Sequence, residues 1–390
     1  MSHELDRRSV LGLALAGGAA VSIPGLLSAC AADTTSTPTS APASSVPTSG
    51  AATPSASAAG YVFPADVNAK WPQITSKEVV VANFGGESQD VRREDIYTPF
   101  TELTGANVVD ATWDYGKFMS MVNAPDPEWD TIDFDGYSVV GLILGGTPPA
   151  KLADWVRRCD MVDPEYQDYC GGGYAYSIVM GWAPSLSGTP ETWADFWNTA
   201  KYPGKRAFPK SVYLGTVEAA LLADGVSKDA LYPLDFDRAF AKLDELKKDM
   251  IFYDSAAQGQ QMVAQGSASM MLTANSKMLQ LQDQGVGDFT YNQAILYPWS
   301  AFPITLHSKN MDAVNALIDA QSHPAVQAEV ARRIRSGPVQ SAAFELLDDA
   351  TIAQLPNSPE NMAMSAVVDT KAAAQQDGEY VERFYGWVGQ

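Results

Sequence analysis

The chain has 390 residues, with 46 acidic and 26 basic side chains and a formal net charge of −20. That excess repels phosphate and excludes nucleic acid as a partner, and it suits solubility outside a cell. Only three histidines and three cysteines occur, with no HExxH, no zinc-type Cys/His spacing and little room for a Ser-His-Asp triad, so hydrolytic and metal chemistry is disfavoured.

The first 29 residues read as an export signal. Arg7 and Arg8 precede an uncharged apolar run from Val10 to Leu27, which Gly17, Gly18 and Pro24 make a poor permanent span. Leu27-Ser28-Ala29-Cys30 resembles a bacterial lipobox, and Asp6 to Leu11 resembles a twin-arginine export signal. From Ala31 to Gly60 the chain is Ser, Thr, Pro and Ala, with Asp33 the one charged residue and Val46 the one large side chain. Such a stretch cannot bury enough apolar area to offset its ordering entropy. Residues 30–60 are therefore expected to be a flexible tether, with Cys30 as the lipid anchor that holds the protein at the outer face of the cytoplasmic membrane.

About 330 residues follow from Tyr61, enough for two lobes with cores of their own. Short apolar strands alternate with helical stretches, the pattern of an α/β protein. "KEVVVANFGG" is a buried strand ending at Gly85-Gly86, and the stretch after it carries Val91, Ile96, Tyr97 and Phe100 at near-helical spacing up to Gly105. "ANVVDAT" and "TIDFDGYSV" give the next two strands, the latter ending in Asp133 and Asp135. Cys159 and Cys170, eleven positions apart in an exported chain, suggest a local disulfide. In "TPETWADFWNTAKYPGKRAF", Thr189 can cap a helix whose face holds Trp193, Phe196 and Trp197 against a core. Helices follow in "TVEAALLADG" and "DFDRAFAKLDELKKD", then a strand in "SASMMLTAN" leading to Asn275, then the helices "MDAVNALIDA" and "PAVQAEVARRI".

In this order, "VVVANFGG", "PFTELTGANV", "TPETWADFWNTAKYPGKRAF", "TVEAALLADGV" and "HSKNMDAVNALIDA" resemble the extracellular solute-binding proteins of ABC importers, nearest the spermidine/putrescine-binding branch. The resemblance runs from about Lys77 to the C-terminus. It implies the two-lobe periplasmic-binding-protein type II fold, each lobe a mixed sheet flanked by helices, with a hinge between. The expected lobes are 61–180 with about 294–345, and 181–293 with about 346–390. It also implies a monomer that needs no cofactor and hands a small solute to an ABC permease, and no ATP-binding loop occurs in the chain.

In open α/β sheets ligands sit beyond the C-terminal ends of strands. The candidates are then Phe84, Gly85, Gly86, Asp135, Tyr176, Tyr213, Tyr253, Asp254, Asn275 and Trp299, with Glu218 at the start of an apolar helix. Each has a plainer reading. Gly85-Gly86 can serve only a tight turn, Asp135 can cap the next segment, Glu218 can face solvent, and Tyr176, Tyr253 and Trp299 can be core aromatics. Two departures from the polyamine pattern stand out: "YPWSAFPI" holds no acid between Tyr297 and Ile304, and "TANSK" keeps Asn275 but has no tryptophan. A polyamine is the first ligand expected, with amino acids, other amines and further organic solutes open. Two rival functions remain: a sensory or adhesive lipoprotein, and an enzyme on the same fold using Asp135 and Glu218 as acid and base.

Overall fold

A computed structural model describes residues 61–212 and 214–389 of the chain, all within one compact unit, Ser57–Gln390. The signal, Cys30, the tether and Tyr213 lie outside the described residues.

The first lobe is built on a parallel sheet of β1 (Glu78–Asn83), β2 (Asn107–Thr112) and β3 (Thr131–Ile132), in the order β2-β1-β3. Val79, Val81 and Ala82 of β1 are fully buried, as a central parallel strand covered on both faces requires. β1 ends at Gly85 and Gly86, whose φ angles of +80° and +68° only glycine adopts without strain. The third expected strand is split in two. After β3 the chain forms β4 (Phe134–Asp135), and the Gly136–Leu144 helix follows at once.

The second lobe holds β5 (Tyr176–Trp182), β6 (Arg206–Pro209), β7 (Met250–Tyr253), β8 (Met270–Ala274) and β9 (Asp288–Tyr297). After β10 (Ser300–Ala301), which pairs antiparallel with β4, the sheet is completed by β11 (Ala366–Val367), giving the order β11-β9-β5-β8-β6-β7. β5 runs antiparallel to β8 and β9, while β6 is parallel to β7 and β8, so the sheet is mixed. Tyr176 to Met180 and Ala294 to Tyr297 thus belong to this sheet, on the other side of the lobe boundaries expected from sequence. The boundary falls where the strand pairing changes partner, which local composition does not mark.

Three chain crossings meet between the lobes. Ser300 N–H donates to Tyr174 O at 2.8 Å, and Ala175 and Gly337 exchange backbone bonds at 2.7 and 2.8 Å. Gly173 fits there because a Cβ would stand 1.7 Å from Ser300 O.

Two local expectations are corrected. The helix around Trp193 is short, Trp193–Trp197, and begins after Thr192. Thr189 instead offers its carbonyl to the Tyr202 hydroxyl at 3.0 Å. Cys159 and Cys170 are free, buried thiols in one apolar cluster, not a disulfide, and the Cys159 Sγ–Ser322 Oγ distance is 3.6 Å. Trp193 is core, as expected.

Candidate functional site

Asp135 ends β4 and precedes the Gly136–Leu144 helix, but its side chain caps nothing. It turns to the opposite lobe, where the Tyr176 hydroxyl donates to Oδ1 at 2.6 Å, and the Tyr137 hydroxyl donates to Oδ2 at 3.3 Å. Tyr176 opens β5 and pairs with Tyr297 at the end of β9, so their rings stack at 4.7 Å with planes 3° apart. Beyond them lies Glu218 of the Thr216–Ala223 helix, only 3% exposed. Its two oxygens accept from the hydroxyls of Tyr232 at 3.1 Å and Tyr380 at 3.2 Å. A small crevice of about 20 Å³ is lined by Tyr137, Glu218, Tyr232, Tyr297, Asp377 and Tyr380. Asp377 and Tyr380 stand one turn apart on the Thr370–Val388 helix.

The electrostatics of this region are one-sided. Burial raises the Asp135 carboxyl to about 6, with Asp133 and Asp377 adding to the rise and the two tyrosine hydroxyls opposing it. Burial also raises Glu218 and Asp377. Neighbouring Asp133 differs, because a cation is at hand. Burial raises the Asp133 carboxyl too, but Arg92, which lies between the rings of Tyr174 and Phe302 at 5.1 and 4.9 Å from their centroids, opposes the rise, as does the Tyr174 hydroxyl bonded at 3.0 Å. Among the described residues, Asp135 and Glu218 have tyrosine hydroxyls and no ion pair. A desolvated carboxylate without its counter-charge is costly to keep ionised. Carboxylates so placed would be stabilised by an ammonium group, and flat faces such as those of Tyr137 and Tyr297 would suit the carbons beside one.

Of the other expected residues, Phe84 is 56% exposed at the end of β1 and stacks on Trp113 at 4.7 Å. Gly85 and Gly86 make the turn after it. Asp254 is exposed and ion-paired with Lys210 at 2.8 Å. Asn275 is a structural pin: its Oδ1 accepts from Ser177 N at 3.1 Å, while Nδ2 donates to the Tyr291 hydroxyl and to Arg335 O. Tyr253 is core, its hydroxyl bonded to Leu272 O at 2.7 Å. Trp299 is core as well, packed on Tyr166 and so close to the helix start that a Cβ on Gly136 would lie 2.6 Å from its ring. The structure therefore gathers Asp135, Tyr176 and Glu218, and adds Tyr137, Tyr232, Tyr297, Asp377 and Tyr380. Tyr137, two residues after Asp135, carried the one usable signal. The others come from segments far apart in sequence.

The bacterial extracellular solute-binding protein family model matches residues 96–360. A γ-aminobutyric acid-binding protein of Pseudomonas aeruginosa is 28% identical over 335 residues, covering 82% of this chain and 93% of that protein. Among solved structures, the Atu4243–GABA receptor is 35% identical, covers 80% of this chain and 97% of its own, and superposes with a TM-score of 0.72. A spermidine/putrescine ABC transporter substrate-binding protein from Streptococcus pneumoniae shares the fold at 17% identity and a TM-score of 0.61, covering 80% and 99% of the two chains.

Proposed function

This chain belongs to the bacterial extracellular solute-binding protein family, and from that premise we propose that its solute is a small amino acid with a terminal amine, γ-aminobutyrate first among them. It is a solute-binding protein for an ABC transporter, not an enzyme. The observation that carries the proposal is the pair Asp135 and Glu218, two desolvated carboxylates that accept from tyrosine hydroxyls and, among the described residues, have no ion pair, with Asp377 lining the same crevice as Glu218. An ammonium supplies the missing charge. The two relatives named for γ-aminobutyrate, at 28% and 35% identity, support the same class of solute.

Because Asp135 stands in one lobe and Tyr176 in the other, a solute that touches both gains all its contacts only when the lobes are together. That differential affinity is what drives closure. A polyamine is the second reading. It rests on Asp377, which would take a second ammonium near the first. A thermal-shift panel of ω-amino acids, putrescine, spermidine, monocarboxylates and sugars separates the readings. A true ligand at a hundred times its Kd stabilises by about 2.7 kcal/mol. The proposal requires the largest shift from an amino acid; a shift from polyamines alone selects the second reading, and one from sugars alone overturns both.

Export and anchoring through Cys30 complete the proposal, supported by "LLSAC" and the tether composition that follows it. Cys30→Ser moves the protein from the membrane fraction to the medium. A wild type with an unmodified mature N-terminus elsewhere overturns the anchor.

A further inference from the structure

We infer that Lys277 receives the carboxylate of the bound solute, so that the site selects zwitterions by the distance between their charges. The inference rests on the amino-acid reading above and adds the group that reads the acid end.

Strand register places Lys277. Ala274 of β8 pairs with Ile178 of β5, and Asn275 then bonds Ser177, so the chain leaves β8 beside Tyr176. β9, β5 and β8 are consecutive in the sheet; β9 and β5 bring Tyr297 and Tyr176 side by side at one end of it, and there β8 gives way to the Asn275–Asp283 helix, whose third residue is Lys277. Glu218 and Asp135 stand near Tyr297 and Tyr176. Lys277 stands on a helix that starts one strand over from Tyr176, and Gln280, one turn further along that helix, bonds Glu87 of the other lobe. An amine at the acid cluster and a carboxylate at Lys277 would thus be held apart, at neighbouring strand ends. The exposed Phe84 ring, at the end of β1, stands on the same side of the cleft as Glu87, the acid that Lys277 senses.

The charge of Lys277 is uncommitted. It is half-buried, and among the described residues its ammonium has no carboxylate at ion-pair distance and no hydrogen-bond acceptor. Burial lowers its pKa, partly opposed by Glu87. Glu87 itself follows the Gly85-Gly86 turn in the other lobe and is bonded by the Gln280 amide. The other cations at these strand ends are engaged: Lys210 with Asp254, Arg335 with Asp283, and Arg92 with Gln321. A desolvated ammonium gains most from a carboxylate that arrives with the solute.

Lys277→Gln and Lys277→Arg test this by calorimetry with 4-aminobutanoate and with 4-aminobutanamide, which keeps the ammonium but has a neutral acid end. Wild type binds the acid more tightly than the amide. Lys277→Gln weakens 4-aminobutanoate by about 30-fold or more, since one partner of a desolvated charge pair is removed. Its affinity for the amide changes no more than about twofold, so the ratio of the two Kd values falls toward one, and Lys277→Arg restores most of it. Equal losses for acid and amide overturn the inference, because Lys277 would then act through Glu87 as a contact between lobes. An unchanged 4-aminobutanoate affinity in Lys277→Gln also overturns it. If wild type binds no amino acid at all, the amino-acid reading fails first, and that is seen before any variant is made.

Discussion

Replacing Asp135 with Asn keeps the side chain's shape and removes its charge, which acts in opposite directions on ligand-free and ligand-bound protein. Burial holds the native carboxyl near 6, against 3.8 for an ordinary aspartate. The folded state therefore binds this proton more tightly than the unfolded chain. The stability this group contributes is fully present below pH 4 and is lost as pH rises through about 6. At pH 7.5 the wild type carries a penalty of up to about 3 kcal/mol, at 1.36 kcal/mol for each unit of pKa difference. Asn removes that penalty but gives Tyr176 and Tyr137 a weaker acceptor, so a net gain of about 1–2 kcal/mol is expected. Urea unfolding of ligand-free protein should show Asp135→Asn more stable than wild type at pH 7.5, with the difference gone by pH 4. In calorimetry the same variant should lose about 30-fold or more in affinity for an amine-bearing ligand at pH 7.5. Wild-type affinity should also fall as pH drops below about 6, where Asp135 takes up its proton, and the variant should lack that slope. A variant less stable than wild type at pH 7.5, with unchanged ligand affinity, would refute the claim that Asp135 is a strained, counter-charge-seeking carboxylate.

Tyr380→Phe strips Glu218 of one hydroxyl and leaves Val217 N–H without its 3.3 Å partner. It should cost about 1–3 kcal/mol at pH 8. The cost should shrink by pH 5, because Glu218, already raised, is protonated more readily once that hydroxyl is gone; an equal loss at both pH values would contradict this. Gly136→Ala drives a methyl into the Trp299 ring and should destabilise by about 1–3 kcal/mol or more, whereas Trp299→Phe should leave ligand affinity within about twofold, since Trp299 is packing. In a Cys30→Ser protein, two thiols should titrate after denaturation without reductant, as the free Cys159 and Cys170 require; none would indicate the disulfide.

The scaffold was legible because its signals are local. The buried run "EVVVAN", the glycine turn after it, the amphipathic Phe236–Leu246 helix and the strand before Asn275 are each set by patterns within ten or so residues. The site was legible only in part. Asp135, Tyr176 and Glu218 could be named because they stand at a strand end, a strand start and a helix start. What they do depends on Tyr297, Tyr232 and Tyr380, brought together across up to 162 residues of chain, and on the cation that Asp133 has and Asp135 lacks. Asn275, Tyr253 and Trp299 show the converse: the structure engages each of them within the fold. Polar and aromatic residues at strand ends are also what a hinge and a core need, and only their partners tell the uses apart.

The central claim is that the Asp135–Glu218 end of the cleft holds an ammonium group. A crystal structure of the protein with γ-aminobutyrate bound tests it most directly. The account predicts the ligand nitrogen within about 3 Å of an Asp135 or Glu218 oxygen, the spacing of a charge-assisted hydrogen bond, with the carboxylate directed away toward the Phe84 and Lys277 end. A ligand bound with its carboxylate at the acid cluster, or seated elsewhere with Asp135 and Glu218 untouched, would contradict it.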